Sequence, residues 1–199
     1  MIAVIDVSGN NLTSLANALI RLGCHFALTH DAEEIQKASH VILPGVGTAR
    51  VGMNALQQSG LIDVLRSLTQ PLLGICLGMQ LLLEFSEEDN VPCLGLIPGV
   101  AELLKTEKNH PVPHMGWNKL HWQNSSSLQQ GLSNNEHVYF VHSYALKTDD
   151  YALARCCYGE QFTAVAKKDN FYGMQFHPEK SADVGMVLLN NFLSLESTC

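Results

Sequence analysis

Leu72-Leu73-Gly74-Ile75-Cys76-Leu77-Gly78-Met79-Gln80-Leu81-Leu82 decides the reading of this chain. A short apolar run carries a cysteine with a glycine two residues away on either side, and an apolar, helix-forming stretch follows at once. Gly-x-nucleophile-x-Gly is the pattern of a strand that turns sharply into a helix and thrusts one side chain out at the bend. Glycines at those flanks permit a close backbone approach that a bulkier residue would block. A helix N-terminus behind the sulfur favours negative charge there, and the thiolate is the attacking form of cysteine. A buried small hydrophobe at a strand end is the plain alternative for Cys76. The paired glycines and the strand-to-helix context favour a nucleophile.

Outward from that segment, residues 71–75 form the strand that feeds Cys76. Residues 2–7, 25–29 and 40–43 read as further short strands. Leu12, Leu15, Ala16, Leu19 and Leu22 recur at helical spacing, with Asn11 or Thr13 as the N-cap. A weaker helical patch covers 32–37, and a longer helix over 53–68 has a break at Gly60. Such a βαβα rhythm implies a parallel sheet with helices on both faces. The second half turns strand-rich, over 119–122, 137–145, 152–158, 162–168 and 171–176, before a terminal helix at 182–195. The expected fold is α/β: a single-domain, open, mostly parallel twisted sheet flanked by helices. No repeat, low-complexity tract or linker divides residues 1–199. In open α/β sheets, sites gather at the carboxyl ends of strands, where Cys76 falls.

A chain of 199 residues with 46% hydrophobic content can build one substantial core. The net charge of −7, with no lysine/arginine cluster, opposes a broad nucleic-acid footprint. No apolar run approaches the roughly 20 residues needed to cross a bilayer, so no membrane partner is expected. Met1-Ile2-Ala3-Val4-Ile5-Asp6-Val7 lacks a basic n-region and a cleavage signal, and reads as a first strand. The six cysteines, two of them adjacent at Cys156 and Cys157, show neither disulfide-framework nor zinc spacing. A reducing, cytoplasmic setting and no metal are the expectations. The one glycine-rich loop is too short for a phosphate-cradling loop and lacks its lysine, so no cofactor is expected.

A cysteine nucleophile needs a base, and the base needs an orienting partner. Phe171-Tyr172-Gly173-Met174-Gln175-Phe176-His177-Pro178-Glu179-Lys180 supplies both. Pro178 pushes His177 into the extended region, where residues two apart project to the same side. Glu179 is therefore expected to reach one imidazole nitrogen while the other faces the sulfur, which fixes the tautomer and stabilises imidazolium. Taken alone, His-Pro-Glu is equally an ordinary strand exit with a surface carboxylate. His137 also has a neighbouring carboxylate, Glu136, but side chains adjacent along a strand point to opposite faces. Covalent attack also needs donors for the developing oxyanion. The candidates are the N–H of Leu77 and the loop Pro44-Gly45-Val46-Gly47, whose two glycines let a peptide N–H point inward. Losing one such donor typically costs on the order of 3 kcal/mol of transition-state stabilisation.

Gly74-Ile75-Cys76-Leu77-Gly78-Met79-Gln80, with Gln175-Phe176-His177-Pro178-Glu179 about a hundred residues later, resembles the class I (triad) glutamine amidotransferases. Pro113-His114-Met115-Gly116-Trp117-Asn118, Tyr139-Phe140-Val141-His142-Ser143-Tyr144 and the 44–47 loop are similar, within that class, to the glutaminase subunits of imidazole glycerol phosphate synthases. The likeness runs from Asp6 to the final helix. It implies that the Cys76 thiolate attacks the side-chain amide of glutamine and that His177 protonates the departing ammonia. Water activated by His177 then hydrolyses the thioester to glutamate. The same resemblance implies a heterodimer with a (β/α)₈-barrel cyclase subunit. That partner would use the ammonia to make imidazole glycerol phosphate and an aminoimidazole carboxamide ribotide in histidine biosynthesis. Glutaminases of anthranilate, aminodeoxychorismate or guanylate synthesis share the chemistry and differ in the acceptor, and a non-catalytic binding subunit is a further alternative.

The resemblance also assigns substrate contacts. Gln80 and Glu88 meet glutamine, Glu88 at its α-amino group, with Glu84 and Glu87 as near alternatives. His142, Ser143 and Tyr144 hold the amino-acid end, largely through backbone groups. Asn11, Met115, Trp117, Tyr139 and Lys180 would line the cyclase interface. Core packing is the plain reading of Met115 and Trp117, and solvated turns that of Asn11 and Lys180. One departure stands out: Ser8 occupies a turn position where glycine is expected, which bears on the pose of Asn11.

Overall fold

Alternating runs of apolar residues and helical periodicities become nine helices and strands among the described residues up to Leu82. In chain order they are β1 (Ile2–Ile5), α1 (Thr13–Arg21), β2 (Phe26–Thr29), α2 (Ala32–Lys37), β3 (His40–Gly45), α3 (Ala49–Gln58), α4 (Leu61–Arg66), β4 (Leu72–Cys76) and α5 (Leu77–Leu82). The rest of the chain contributes β5 (Phe85–Ser86), β6 (Val91–Pro92), β7 (Val100–Leu103), β8 (His114–Lys119), β9 (His121–Trp122), β10 (His137–His142), β11 (Tyr144–Leu146), β12 (Ala152–Tyr158), β13 (Glu160–Lys168), β14 (Phe171–Met174) and α6 (Ala182–Leu193). The computed structural model describes residues 1–6, 12–106, 108–123, 125–148 and 150–196.

The main sheet has eight strands in the order β2-β1-β3-β4-β14-β13-β12-β9. Pairing is parallel from β2 through β14 and antiparallel beyond it, so the sheet is mixed with a five-stranded parallel part. β1, β3 and β4 are buried along their whole length, as strands covered by helices on both faces must be. Successive residues of β1 serve opposite faces: Ile2 and Val4 pack with α1 and α6, Ala3 and Ile5 with α3 and α4. β8 and β10 form a separate antiparallel ribbon, and β11, β7, β5 and β6 a small four-stranded sheet. Among the described residues no helix is long and apolar enough to cross a membrane.

Several boundaries differ from the sequence reading, each for a local reason. Thr13 is the first helical residue of α1, behind Leu12, and so is not its N-cap; Asn11, Ser8 and the seventh residue of the expected first strand lie outside the described residues. The helix expected over 53–68 begins at Ala49 and is two helices, because Gly60 adopts a left-handed φ of 68° between them. The strand expected over 137–145 divides at Ser143, and its halves join different sheets. β8 was not anticipated: His114 is buried while Met115 and Trp117 on its other face are exposed, the reverse of ordinary amphipathic alternation.

The glycines around Cys76 mark where α5 lies against the sheet. A Cβ on Gly78 would sit 1.8 Å from the carbonyl oxygen of Leu43 in β3, and one on Gly74 would sit 2.6 Å from the carbonyl oxygen of Gly78. No side chain fits at either place, and the bend carrying the cysteine depends on both.

Candidate active site

Cys76 ends β4 with φ 54° and ψ −111°, a conformation that a non-glycine residue adopts only under constraint from its surroundings. That backbone aims the thiol into a cavity of about 300 Å³ at the carboxyl end of the parallel strands. The sulfur lies 3.7 Å from the carbonyl oxygen of Val141, and the side-chain amide of Gln175 donates to it at 3.9 Å. Burial pushes the thiols of Cys93 and Cys156 up to about 11 and about 12, which makes both poor nucleophiles.

His177 bridges the other two groups. Its side chain is hydrogen-bonded to Cys76 on one side, and on the other Nδ1 lies 2.8 Å from Oε1 of Glu179. Burial alone would depress this imidazole. The hydrogen bonds and charges of Cys76 and Glu179 outweigh burial and push it up to about 10. The histidine is thus held as imidazolium, with side chains only 6% and 10% exposed for His177 and Glu179. Strand alternation does not deliver Glu179, contrary to the sequence reading. His177 is extended at φ −99° and ψ 96°, but Pro178–Lys180 is a turn of 3₁₀-helix that curls the carboxylate back to the ring. Ser181, which the sequence did not single out, fixes the histidine's backbone. Its hydroxyl donates to the His177 carbonyl at 2.7 Å and accepts from the Tyr139 N–H at 3.0 Å.

Of the residues expected near an oxyanion, Leu77, Val46 and Gly47 line the cavity. Gly45 does not: it is the last residue of β3, in register with Cys76, and it packs against Leu77 and Gly78. Gly47 has a left-handed φ of 96°. Gln80 lines the cavity one helical turn beyond the nucleophile, donating to the Tyr144 carbonyl at 2.9 Å and to Gln175 at 3.2 Å. Three glutamates were candidates for one contact, and geometry separates them. Glu84 accepts from the Gly99 N–H and Glu87 from the Leu103 N–H, whereas Glu88 lines the cavity. Burial raises the Glu88 carboxyl above its usual range, opposed by a hydrogen bond from the Ala49 N–H.

The far wall is built by His142, Ser143 and Tyr144. The His142 ring is committed elsewhere: its Nδ1 lies 2.9 Å from the Tyr144 carbonyl oxygen, and its Nε2 lies 3.1 Å from Nδ1 of His114. A carbonyl only accepts, so His142 carries its proton on Nδ1 and accepts on Nε2 from His114. His114 then accepts on Nε2 from the Asn118 amide at 3.4 Å, while its ring stacks between Tyr158 at 4.0 Å and Phe140 at 4.7 Å. Burial is the main cause lowering both rings, His114 to about 4 and His142 to about 3, so the pair is neutral. Gln175 and His114 were quoted in motifs without a task. Gln175 had a readable signal, since alternation puts it on the same side as His177; His114 had none.

The ribbon that supplies the cavity-lining Val141 and His142 also carries an apolar face. Met115 is 63% exposed and Trp117 is 54% exposed, so neither packs in the core. Trp117 pairs across the ribbon with half-buried Tyr139, ring edge to face at 6.0 Å, and Lys180 is exposed. Asn11 lies outside the described residues. Among the described residues no cluster of histidine, cysteine, aspartate and glutamate is arranged to hold a metal.

Comparison with known proteins gives a consistent result. The family described as glutamine amidotransferase class-I matches residues 3–195. The chain is 88% identical over 199 residues to "Imidazole glycerol phosphate synthase subunit HisH 2" of Legionella pneumophila (strain Paris), covering 100% of both. It is 47% identical over 192 residues to "Imidazole glycerol phosphate synthase subunit HisH" of Haemophilus influenzae, covering 96% of both. Among solved structures, one described as a glutamine amidotransferase superposes with a TM-score of 0.75 at 19% identity, covering 96% of each chain. A glutamine amidotransferase from Thermotoga maritima superposes at 0.63 with 16% identity, covering 96% of this chain and 89% of that one. Both share the fold.

Proposed function

The chain belongs to the class-I glutamine amidotransferases, and from that premise we propose that it is the glutaminase subunit of an imidazole glycerol phosphate synthase, with residues 1–199 acting as one amidotransferase domain. The observation that carries this reading is the single imidazole joined to both a cavity-facing thiol and a buried carboxylate.

Catalysis begins from the Cys76 thiolate and His177 imidazolium, with Glu179 holding the ring through Nδ1. The sulfur attacks the side-chain carbonyl carbon of glutamine, and the oxyanion is met by the N–H of Leu77 and by an N–H of the Val46–Gly47 segment. Collapse of the tetrahedral adduct breaks the C–N bond as His177 gives its proton to the leaving nitrogen, so ammonia departs and a γ-glutamyl thioester remains. Neutral His177 next takes a proton from water. The resulting hydroxide displaces sulfur, releasing glutamate and restoring the thiolate–imidazolium pair. Gln80 braces the wall at Tyr144, Glu88 takes the substrate α-ammonium, and His142, Ser143 and Tyr144 enclose the amino-acid end.

Ammonia passes to a barrel-shaped cyclase subunit, which docks on the face carrying Met115, Trp117, Tyr139 and Lys180. The resemblance assigns Asn11 to the same interface. An exposed tryptophan and methionine suit an interface centre. The assembled enzyme works in the cytoplasm. The second oxyanion donor is presented only when the partner holds its ligand, so the isolated chain turns over glutamine slowly. The experiment is Cys76→Ser in the assembled synthase: glutamine-dependent synthesis is lost, and synthesis from added ammonia continues. Retention of glutamine-dependent turnover would overturn the assignment.

A further inference from the structure

Glu88 touches two things at once. Its carboxylate lines the cavity, and its Oε2 accepts the backbone N–H of Ala49 at 3.0 Å. Ala49 is the first residue of α3, two residues after Gly47 and one after the extended Thr48. The N–H that Glu88 holds therefore ends the same short loop that presents Val46 and Gly47 to the cavity. Its other oxygen, Oε1, takes no hydrogen bond among the described residues.

The glutamate stands on a rigid base. Its own N–H donates to the Ser86 hydroxyl at 3.2 Å. The next two residues, Asp89 and Asn90, are both left-handed non-glycines, at φ 62° and 52°. The Arg50 guanidinium, from the first turn of α3, donates to the Asp89 carbonyl and so ties the helix start to this turn a second time.

We propose that Glu88 is a positioning residue that couples occupation of the amino-acid end of the cavity to the conformation of the 46–48 loop. The inference rests on the glutaminase reading of this same cavity. One carboxylate oxygen receives the substrate α-ammonium while the other keeps the Ala49 N–H. Charge drawn to Oε1 and rotation of the carboxylate toward it change the pull on Ala49, and through Thr48 the orientation of the Val46 and Gly47 peptides. By linkage, a loop orientation that tightens the Ala49 contact tightens glutamine by the same factor. A carboxylate serving only as a cap for α3 would stabilise the helix and leave turnover untouched.

Two substitutions in the assembled synthase separate these roles. Ala49→Pro deletes the N–H at a backbone position that suits proline, because proline is accepted at the first helical position and Thr48 already has the extended backbone that precedes proline. It is expected to lower kcat with glutamine by about tenfold and, by the same linkage, to raise KM by a similar factor, within the usual 5–150-fold range of such couplings. Glu88→Gln keeps an acceptor for that N–H but loses the charge that receives the α-ammonium, and is expected to raise KM by more than Ala49→Pro does. Should the tightly enclosed proline variant fail to fold, hydrogen exchange on the Cys76→Ser synthase replaces it: adding glutamine should change exchange at residues 45–49 by about fivefold or more. Unchanged kcat in Ala49→Pro, unchanged KM in Glu88→Gln, or exchange at 45–49 indifferent to glutamine would overturn the coupling. Failure of the wild-type synthase to hydrolyse glutamine would instead overturn the functional reading beneath it.

Discussion

His114→Phe tests the buried histidine pair behind the cavity wall. The phenyl ring keeps the stack between Tyr158 and Phe140 but removes the Nδ1 donor that lies 3.1 Å from His142. Near pH 7.5 the variant should be less stable by about 1–3 kcal/mol, the cost of leaving the buried His142 Nε2 without a donor. Acid should narrow that gap. The wild-type ring titrates near 6.5 when unfolded and near 4 when folded, chiefly because burial disfavours its charged form. Its contribution is therefore complete above 6.5 and shrinks as pH falls toward 4, since the unfolded chain binds a proton that the native state refuses. Between pH 7.5 and 5 the wild type loses about 2 kcal/mol on this account, and phenylalanine loses none. His142 and His177 are present in both proteins, so their titrations cancel in the comparison to first order. Urea unfolding at the two pH values measures the difference through the midpoint and slope. A stability gap that stays constant with pH, or widens toward acid, would refute a neutral, hydrogen-bonded His114.

Two further outcomes follow from the site. Glu179→Gln removes the charge beside Nδ1 that helps push His177 up to about 10, and should reduce glutamate release by the assembled synthase by at least about 100-fold while ammonia-dependent synthesis persists. Trp117→Ala should leave the chain's own unfolding free energy within about 0.5 kcal/mol of wild type, because the ring is exposed. The same change should weaken binding of the barrel partner by about 2 kcal/mol, measurable by titration calorimetry.

Legibility in the sequence followed the physical signals. β1, β3 and β4 were readable because strands buried on both faces are unbroken apolar runs, and the glycines beside Cys76 were readable because their spacing matches the crowding at α5. The parallel order followed from the helices between those strands. β5 and β6, at two residues each, are too short to show any period. The pairing of His177 with Glu179 was legible, but its route was not: Pro178 also starts a tight turn, and the turn brings the carboxylate home. Gly45 looked like loop and is strand end, because hydrogen bonding to β4 continues up to Cys76. Choosing Glu88 over Glu84 and Glu87 required three dimensions, since which backbone N–H each meets depends on strands distant in sequence.

Alkylation by a chloroketone analogue of glutamine, followed by peptide mapping of the assembled synthase, asks most directly whether sulfur 76 is the group that meets the substrate carbonyl. Modification confined to Cys76, slowed by glutamine and matched by loss of glutaminase activity, is the expected result. Label falling equally on exposed Cys157, or full labelling of Cys76 with glutamine hydrolysis intact, would contradict it.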